Sequence, residues 1–322
     1  MANSIDKEIW QQALDPAGLA LPVAFALVVA GAAGAFGVVN LPSTLLLLAT
    51  ALGLQLASGI ARVLGDRIDR ERAQRAYYER KFAEFKSFDK RYDPLAGTAG
   101  DLATTRLRGL LALDAAVTAA LGYAFALSCL GTEQMPLAWA ALAGIAIAVV
   151  LLRYLGEIRF GYRPWGVAVV FALGASCCLA AEWLLVGRFM VPLVYPAVAF
   201  GALTVAVANL GDVARMEADA DFSQSDEPRR TVPLAAGING GFMLQTVSVA
   251  LAMLWLVVFP FSTGAPTPLS YAFALFYIPL VLDLASLRRS RPSGIGRLRL
   301  SLAISMLLVS VAFFFCTAGV NL

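Results

Sequence analysis

The stretch LLLLATALGLQLASGIARVLGDRIDR, residues 45–70, joins a long apolar run to an acidic end. Its first twenty residues are mostly apolar, and a helix needs about 20 such residues to cross a bilayer. Because positions three or four apart share a face of a helix, the polar side chains of this stretch form one stripe: Gln55, Ser58, Arg62, Asp66 and Asp69. The stretch therefore predicts a membrane-spanning helix with a polar face and carboxylates at one end.

The composition indicates a polytopic membrane protein. The chain has 322 residues, of which 59% are hydrophobic and 15% are charged, whereas soluble domains have about 45–50% apolar and about 25% charged residues. We therefore predict a single domain over residues 1–322, an all-α bundle of nine transmembrane helices. The predicted spans are about 18–39, 43–64, 107–131, 136–153, 165–187, 190–210, 235–260, 268–286 and 300–320.

The basic residues set the expected orientation. Of the 25 Lys and Arg residues, nine lie between Arg67 and Arg91, and the connections on the opposite side contain only Arg188. Because short basic loops stay in the cytoplasm, we expect a cytoplasmic N-terminus and an external C-terminus. Residues 1–17 are expected to include a segment that lies along the membrane surface. Since the basic residues alternate with apolar spans, they indicate topology and lipid contact, and no nucleic-acid binding.

A second acidic cluster closes the sixth predicted span. Asn209-Leu210-Gly211-Asp212 ends the apolar run, and Asp219 follows seven positions after Asp212, on the same face if the helix continues. The two polar connections, 65–106 and 211–232, both begin with aspartates and lead into a similar Pro-Leu-Ala turn. They are predicted to be cytoplasmic loops in two related halves.

Carboxylates at these two helix ends have the chemistry of a magnesium site. Mg²⁺ takes oxygen ligands and is usually held by one or two carboxylates together with substrate phosphates. We predict that Asp66 and Asp69 hold one Mg²⁺, and that Asp212 with Asp219 holds another, around one diphosphate. Other acidic residues of the same connection leave the partner of Asp212 open: Glu217, Asp221 and Asp226. The chain has no histidine, and its four cysteines fall inside apolar runs.

The order and spacing of these motifs resemble intramembrane aromatic prenyltransferases of the UbiA superfamily, most of all the branch that prenylates a dihydroxynaphthoate in the menaquinone pathway. Five segments, spread over nearly the whole chain, carry the resemblance: Trp10…Ala13…Pro16…Pro22-Val23, Gly65-Asp66-Arg67-Ile68-Asp69-Arg70, Pro94-Leu95-Ala96-Gly97, Tyr162-Arg163-Pro164-Trp165-Gly166, and Asn209-Leu210-Gly211-Asp212 with Arg229-Arg230-Thr231. The resemblance implies a UbiA-type fold in a bacterial-type inner membrane.

The resemblance also implies a reaction for quinone biosynthesis. A polyprenyl diphosphate loses pyrophosphate, and an electron-rich aromatic acceptor attacks the allylic cation that remains. Four aspartates would be catalytic as Mg²⁺ ligands: Asp66, Asp69, Asp212 and Asp219. Four arginines would neutralise the diphosphate: Arg62, Arg163, Arg229 and Arg230. The implied partners are the two substrates and membrane lipid, and no protein partner is indicated.

Two departures from the family pattern change the charge of the site. Arg62 stands where the first motif has an asparagine, and Gly211 stands where the second motif has an arginine. Three alternatives stay open: another acceptor such as 4-hydroxybenzoate, a catalytically silent member that binds lipid or acts as a scaffold, and a transporter. A transporter would place ionisable residues near the middle of the membrane, whereas these carboxylates are expected at its cytoplasmic edge.

Overall fold

The computed structural model of the protein describes residues 16–38, 40–83, 99–130, 144–149, 153, 155, 160–214, 216, 231–263, 278, 282 and 295–318. For residues 16, 69–83, 99–103 and 130 the description covers the backbone alone. Within these ranges every regular element is a helix. The all-α fold class is therefore confirmed.

Seven helices of the described chain are long and apolar enough to cross a membrane, which supports the multi-pass prediction. In order they are α1 (Pro16–Gly34), α2 (Leu41–Ala83), α3 (Ala99–Leu130), α4 (Gly166–Val186), α5 (Val194–Val213), α6 (Val232–Ser262) and α7 (Ile295–Ala318). Short 3-10 turns at Phe160–Tyr162 and Val191–Leu193 precede α4 and α5. The other two predicted spans, 136–153 and 268–286, lie largely outside the described residues, as do residues 1–15.

The connection 65–106 is not simply the loop that the sequence predicts. Helix α2 continues without interruption to Ala83, and α3 has already begun at Ala99. The reason lies in the composition, because residues 66–83 are rich in Arg, Ala and Glu and contain no Gly or Pro, which favours helix. The polar residues that begin at Asp66 mark where α2 leaves the apolar layer, and the helix itself ends only at Ala83. Most of the second predicted loop, 211–232, lies outside the described residues.

Helix α1 lies at the centre of the bundle. It packs along α7 and also contacts α2, α4 and α5, and it is the most buried of the seven spans. Its small residues explain this position, because they let neighbouring helix backbones approach closely. Ala24, Ala32 and Ala33 are fully buried, and Gly31 lies against Phe313 of α7.

The buried side chains form two clusters, and the candidate site lies between them. The larger cluster joins α1 with α4, α5, α6 and α7. The smaller one packs the second half of α2 against α3 and against Tyr162. Arg62 of α2 reaches out of the smaller cluster to Asp212 at the end of α5. The packing therefore brings the two acidic helix ends to one end of the bundle.

Candidate functional site

Arg62 on α2 and Asp212 on α5 join the two acidic helix ends. The Nη2 atom of Arg62 lies 3.4 Å from Oδ1 of Asp212, and the two side chains are 18% and 26% exposed. The guanidinium lies over Gly211, where an added Cβ would come 2.6 Å from Nη1. Glycine at this position therefore lets the arginine approach α5 closely. Residues 150 positions apart in the chain thus form one ion pair.

Asp66 lies one turn further along α2 and contacts the segment before α4. The hydroxyl of Tyr162 donates a hydrogen bond to Oδ1 of Asp66 at 3.1 Å. A tight turn holds Tyr162 in place, because the amide of Arg163 donates to the carbonyl of Phe160 and the amide of Gly166 donates to the carbonyl of Arg163, each at 3.0 Å. Gly166 has no space for a side chain, since a Cβ there would collide with the Phe160 carbonyl.

Asn209 fixes the end of α5 to α6. Its Nδ2 donates to the carbonyl oxygen of Gly241 at 2.8 Å and to Oε1 of Gln245 at 3.1 Å. The side chains of Asn209 and Gln245 are 3% and 0% exposed. Within the described residues, Oδ1 of Asn209 has no hydrogen-bond partner. Because Asn209 lines the same pocket as Asp212 and buried polar atoms are normally bonded, this oxygen suits a polar ligand.

A small polar pocket of about 20 Å³ lies between the turn before α4, the end of α5 and the start of α6. Five polar residues line it: Arg153, Arg163, Asn209, Asp212 and Thr231. The hydroxyl of Thr231 is a second buried oxygen that lacks a hydrogen-bond partner in the described part of the chain. Arginines and acceptor oxygens are the groups that bind a phosphate with its cation, while the enclosed space itself has room for about one water molecule.

A larger cavity of about 150 Å³ adjoins this pocket inside the bundle. Arg153 and Val170 line both spaces. The cavity wall is mainly apolar and includes Phe25 and Phe200, whose ring centroids lie 4.8 Å apart. Its polar groups come from a few residues: Gln55, Ser58, Arg153 and Thr204. An apolar cavity with a few placed polar groups is the usual form of a small-molecule site.

The structure places about half of the predicted site residues. Arg62 contacts Asp212 directly, Asp66 is bound to Tyr162, and Arg163 is exposed at the small pocket. The remaining predicted side chains lie outside the description: Asp69, Asp219, Arg229 and Arg230. The pairing of Asp66 with Asp69, and of Asp212 with Asp219, therefore stays a prediction.

Asp66 and Asp212 present the donor atoms that Mg²⁺ prefers, because carboxylate oxygens are its usual protein ligands. Across the described ranges, no three Asp, Glu, Cys or His side chains are grouped closely enough to hold a metal ion. The described carboxylates could therefore supply only part of the ligands of Mg²⁺, and substrate phosphates and water would supply the rest, as is common for this ion.

Two residues of the site are absent from the predicted set. Arg153 lines both the pocket and the cavity, whereas the sequence presents it as one of several basic residues beside a span. Tyr162 contacts Asp66, although the sequence gives it no role. A signal for Arg153 exists, because it lies at the end of the predicted span 136–153, and charges inside a span usually face a bundle interior or a wet cavity.

The described residues thus bring one carboxylate, two arginines and two buried oxygens to a small pocket beside an apolar cavity. Arg62 is paired with the carboxylate of that pocket, Asp212, and Asp66 is bonded to Tyr162. Such a set suits a ligand that is strongly anionic at one end and apolar elsewhere. Comparison with known proteins adds no assignment: no protein-family model matches the chain, and no curated protein matches it.

Proposed function

We propose that the protein is an enzyme that transfers a polyprenyl group from a prenyl diphosphate to an aromatic acceptor, with Mg²⁺. One observation carries the proposal: the polar face of α2 and the acidic end of α5 meet at Arg62 and Asp212, next to a small pocket that adjoins an apolar cavity. A diphosphate head in the pocket and an aromatic acceptor in the cavity would then lie side by side, as the transfer requires.

The order of the sequence motifs supports membership of the UbiA superfamily, with nine helices in two related halves. Each half would supply one acidic helix end, and the ion pair between Arg62 and Asp212 brings the two ends together. We place this end of the bundle at the cytoplasmic face of a bacterial-type inner membrane, because the arginine-rich connections lead into it. The N-terminus would then be cytoplasmic and the C-terminus external.

Arginines would neutralise the diphosphate head. Arg153 and Arg163 line the polar pocket, and Arg62 lies beside it on Asp212. A guanidinium matches phosphate oxygens in geometry and stays charged at any physiological pH. Arg229 and Arg230, just before α6 in the chain, are proposed to add further positive charge.

Carboxylates would hold the metal. Asp66 and Asp212 are the proposed ligands among the described side chains, and Asp69 and Asp219 are their proposed partners. Bound Mg²⁺ would stabilise the charge that develops on the departing pyrophosphate. The Tyr162 hydroxyl holds Asp66 in place through its 3.1 Å hydrogen bond, which is the kind of support that orients ligating carboxylates in other metal sites.

The reaction replaces a carbon–oxygen bond by a carbon–carbon bond. The bond between the allylic carbon and the diphosphate breaks, and both of its electrons leave with pyrophosphate. A carbon of the electron-rich ring then bonds to the allylic carbon, and the ring loses a proton, or carbon dioxide in the naphthoate case, to regain aromaticity. The apolar cavity would keep water away from the allylic cation, which water would otherwise consume.

The cavity is the proposed acceptor site. Its volume of about 150 Å³ is close to that of an apolar protein cavity that holds one benzene molecule. Arg153 lines both spaces, so it would lie between the diphosphate and the carboxylate of an aromatic acid. Gln55, Ser58 and Thr204 would lie near the hydroxyl groups of the acid. A dihydroxynaphthoate in menaquinone biosynthesis is the first candidate. The volume favours a single ring, so 4-hydroxybenzoate is the second.

The test is a transfer assay with purified protein in nanodiscs, supplied with Mg²⁺, a labelled prenyl diphosphate and either aromatic acid. We expect a lipid-soluble product that needs both substrates and is lost when EDTA removes the metal. Omission of the acceptor and Asp66→Asn are the controls. Absence of product with every donor and acceptor combination, from protein that still binds pyrophosphate, would refute the enzyme.

That last outcome would favour a second candidate, a silent family member that binds prenyl lipid. The observation on its side is the ion pair itself, because Arg62 already neutralises one proposed metal ligand. The two candidates differ in turnover and not in binding. Labelled prenyl diphosphate that is retained on the protein without conversion would therefore separate them.

A further inference from the structure

The contact between Arg62 and α5 depends on two adjacent positions of that helix. An added Cβ at Gly211 would lie 2.6 Å from Nη1, 3.0 Å from Nη2 and 3.2 Å from Cζ of Arg62. Since three guanidinium atoms lie this close, the group rests across the bare backbone at Gly211 while Nη2 faces Asp212. A side chain at 211 would push the guanidinium away without removing either charge.

The position of Asp212 explains why a cation is needed there. Asp212 is the second-last residue of α5, which ends at Val213. The last carbonyl groups of a helix carry partial negative charge, equivalent to about half an elementary charge at the C-terminus. The carboxylate therefore adds a full charge to a region that is already negative, and Arg62 compensates for both.

The geometry of the ion pair between Arg62 and Asp212 allows Arg62 to leave Asp212 for another anionic partner. Its 3.4 Å separation exceeds the roughly 2.7–2.9 Å of a strong charge-assisted hydrogen bond. Both side chains also keep some exposure to solvent, so neither charge is sealed in the protein interior. A better partner for the guanidinium would draw Arg62 away.

A metal ion and Arg62 compete for the same carboxylate. A guanidinium and a divalent cation on one aspartate repel each other, so Arg62 must withdraw before the metal binds fully. A free metal ion gives Arg62 nothing in return. A diphosphate does, because its oxygens can accept two parallel hydrogen bonds from the guanidinium.

We infer that Arg62 is an internal counter-ion that occupies Asp212 until a diphosphate arrives, so that metal and diphosphate bind tightly only together. The inference rests on the proposed function for its ligand, a diphosphate with a divalent cation. Binding linkage is reciprocal, so each ligand must strengthen the other to the same degree. The site would thus stay closed to free cations and open when substrate is present.

Gly211→Ala tests the contact while both charges remain. The new methyl group displaces only the far end of a flexible side chain, and alanine is the better helix former. Gly109→Ala on α3 is the matched control, because a Cβ there meets no atom within 4 Å. Arg62→Gln is the second variant, which removes the charge and keeps much of the length.

The measurement is Mn²⁺ binding to the full chain in detergent, by electron paramagnetic resonance, with and without inorganic pyrophosphate and corrected for their complex in solution. We expect Gly211→Ala to bind Mn²⁺ alone at least about fivefold more tightly than the wild type, within the usual range of coupling between sites. Pyrophosphate should then strengthen Mn²⁺ binding less than in the wild type. Gly109→Ala should match the wild type, and Arg62→Gln should bind Mn²⁺ more tightly and pyrophosphate more weakly.

Equal Mn²⁺ affinity in the wild type and Gly211→Ala would overturn the inference. Tighter binding in Arg62→Gln alone would overturn it too, since loss of any nearby positive charge has that effect. If Gly211→Ala does not fold, Arg62→Lys takes its place in the test, because lysine keeps the charge but lacks the planar group. An Mn²⁺ affinity of Arg62→Lys equal to that of the wild type would also overturn the inference. If the wild type shows the expected Mn²⁺ pattern but no prenyl transfer, only the proposed enzymatic function is refuted. If the wild type transfers the prenyl group but Gly211→Ala leaves the Mn²⁺ affinity unchanged, only the counter-ion role of Arg62 is refuted.

Discussion

Asp66 on α2 and Asp212 on α5 carry the same chemical group and are held in different ways. Asp212 lies at the last turn of α5, whereas Asp66 lies inside α2, which continues well beyond it. On α5, the buried amide of Asn209 is bonded to Gln245 and to a carbonyl of α6. On α2, Asp66 receives a hydrogen bond from Tyr162, which belongs to the turn before α4.

The difference shows that Asp212 requires a neighbouring positive charge, whereas Asp66 requires only a hydrogen bond that fixes its orientation. At the end of α5 the negative helix terminus and Asp212 together demand positive charge, which Arg62 supplies. Asp66 is not at such a terminus, and a neutral hydroxyl holds it. In the proposed function, the end of α5 would therefore be the fixed side of the site, and the face of α2 would be the side that substrate rearranges.

The largest effect is expected at the α2 side. Asp66→Asn and Asp69→Asn each remove one negative charge from the proposed Mg²⁺ site while keeping the size of the side chain. Because metal ligation by carboxylates is central to the proposed reaction, prenyl transfer should fall below detection in both variants. Thermal unfolding in detergent should stay close to that of the wild type, since Asp66 is only half-buried. Turnover preserved in both variants would remove this site from the mechanism.

The second prediction concerns the partner of Asp212. The sequence predicts Asp219 rather than Glu217, because seven positions return to the same face of a helix. Since α5 ends at Val213, this assignment requires the chain beyond it to return Asp219 to the side of Asp212. Asp219→Asn should therefore abolish most of the turnover and weaken Mn²⁺ binding, whereas Glu217→Gln should change little. Steady-state kinetics and Mn²⁺ titration of the two variants provide the comparison. The reverse pattern would assign Glu217 to the metal and would mean that the helix changes direction after α5.

Much of the fold follows from local patterns, and so can be predicted. Apolar runs give the seven described spans. The three-and-four spacing puts Gln55, Ser58 and Arg62 on one face of α2, and the first two line the cavity while Arg62 contacts Asp212. The loop prediction is wrong for the part of α2 beyond Asp66, because polar composition predicts only that a segment leaves the apolar layer, and these residues favour helix.

Contacts between distant segments could not be predicted in this way. The sequence leaves open whether Arg62 pairs with Asp66, Asp212 or Asp114, because its contact with Asp212 depends on how α2 and α5 pack. Glu182 shows the same limit: its place near the end of a span predicts an interfacial position, yet it is fully buried and accepts a hydrogen bond from the thiol of Cys178 at 3.5 Å. Burial is a property of the whole bundle, and sequence periodicity reports only the helix.

The third prediction tests whether α5 is the fixed side. Asn209→Leu removes the donor to the Gly241 carbonyl and to Gln245. Because buried groups that lose their partners cost about 1–3 kcal/mol, this variant should lower the thermal unfolding midpoint in detergent by several degrees. Asn209→Leu with Gln245→Leu should cost less than the sum of the single changes, since the two residues share one interaction. Full additivity would show that their contact contributes nothing.

The smallest effect is expected from Tyr162→Phe, which removes one hydroxyl. The ring keeps its packing against α2 and α3, so stability should fall by only about 0.5–1.5 kcal/mol. Residues that support metal ligands typically change affinity by about 10–100-fold, and a neutral donor to a half-buried aspartate belongs at the low end. We therefore expect the Mn²⁺ concentration that gives half-maximal turnover to rise roughly tenfold, with little change in the KM for the aromatic acid.

Two controls decide whether Tyr162 acts through Asp66. In the Asp66→Asn background, Tyr162→Phe should have no further effect on Mn²⁺ binding, because the carboxylate that it positions is gone. Tyr195→Phe should also leave Mn²⁺ binding unchanged, since Tyr195 stacks on Trp255 at the start of α5, the opposite end from Asp212. If Tyr162→Phe weakened Mn²⁺ binding equally with and without Asp66, its hydroxyl would be acting on another ligand, and the face of α2 would not be the adjustable side of the site.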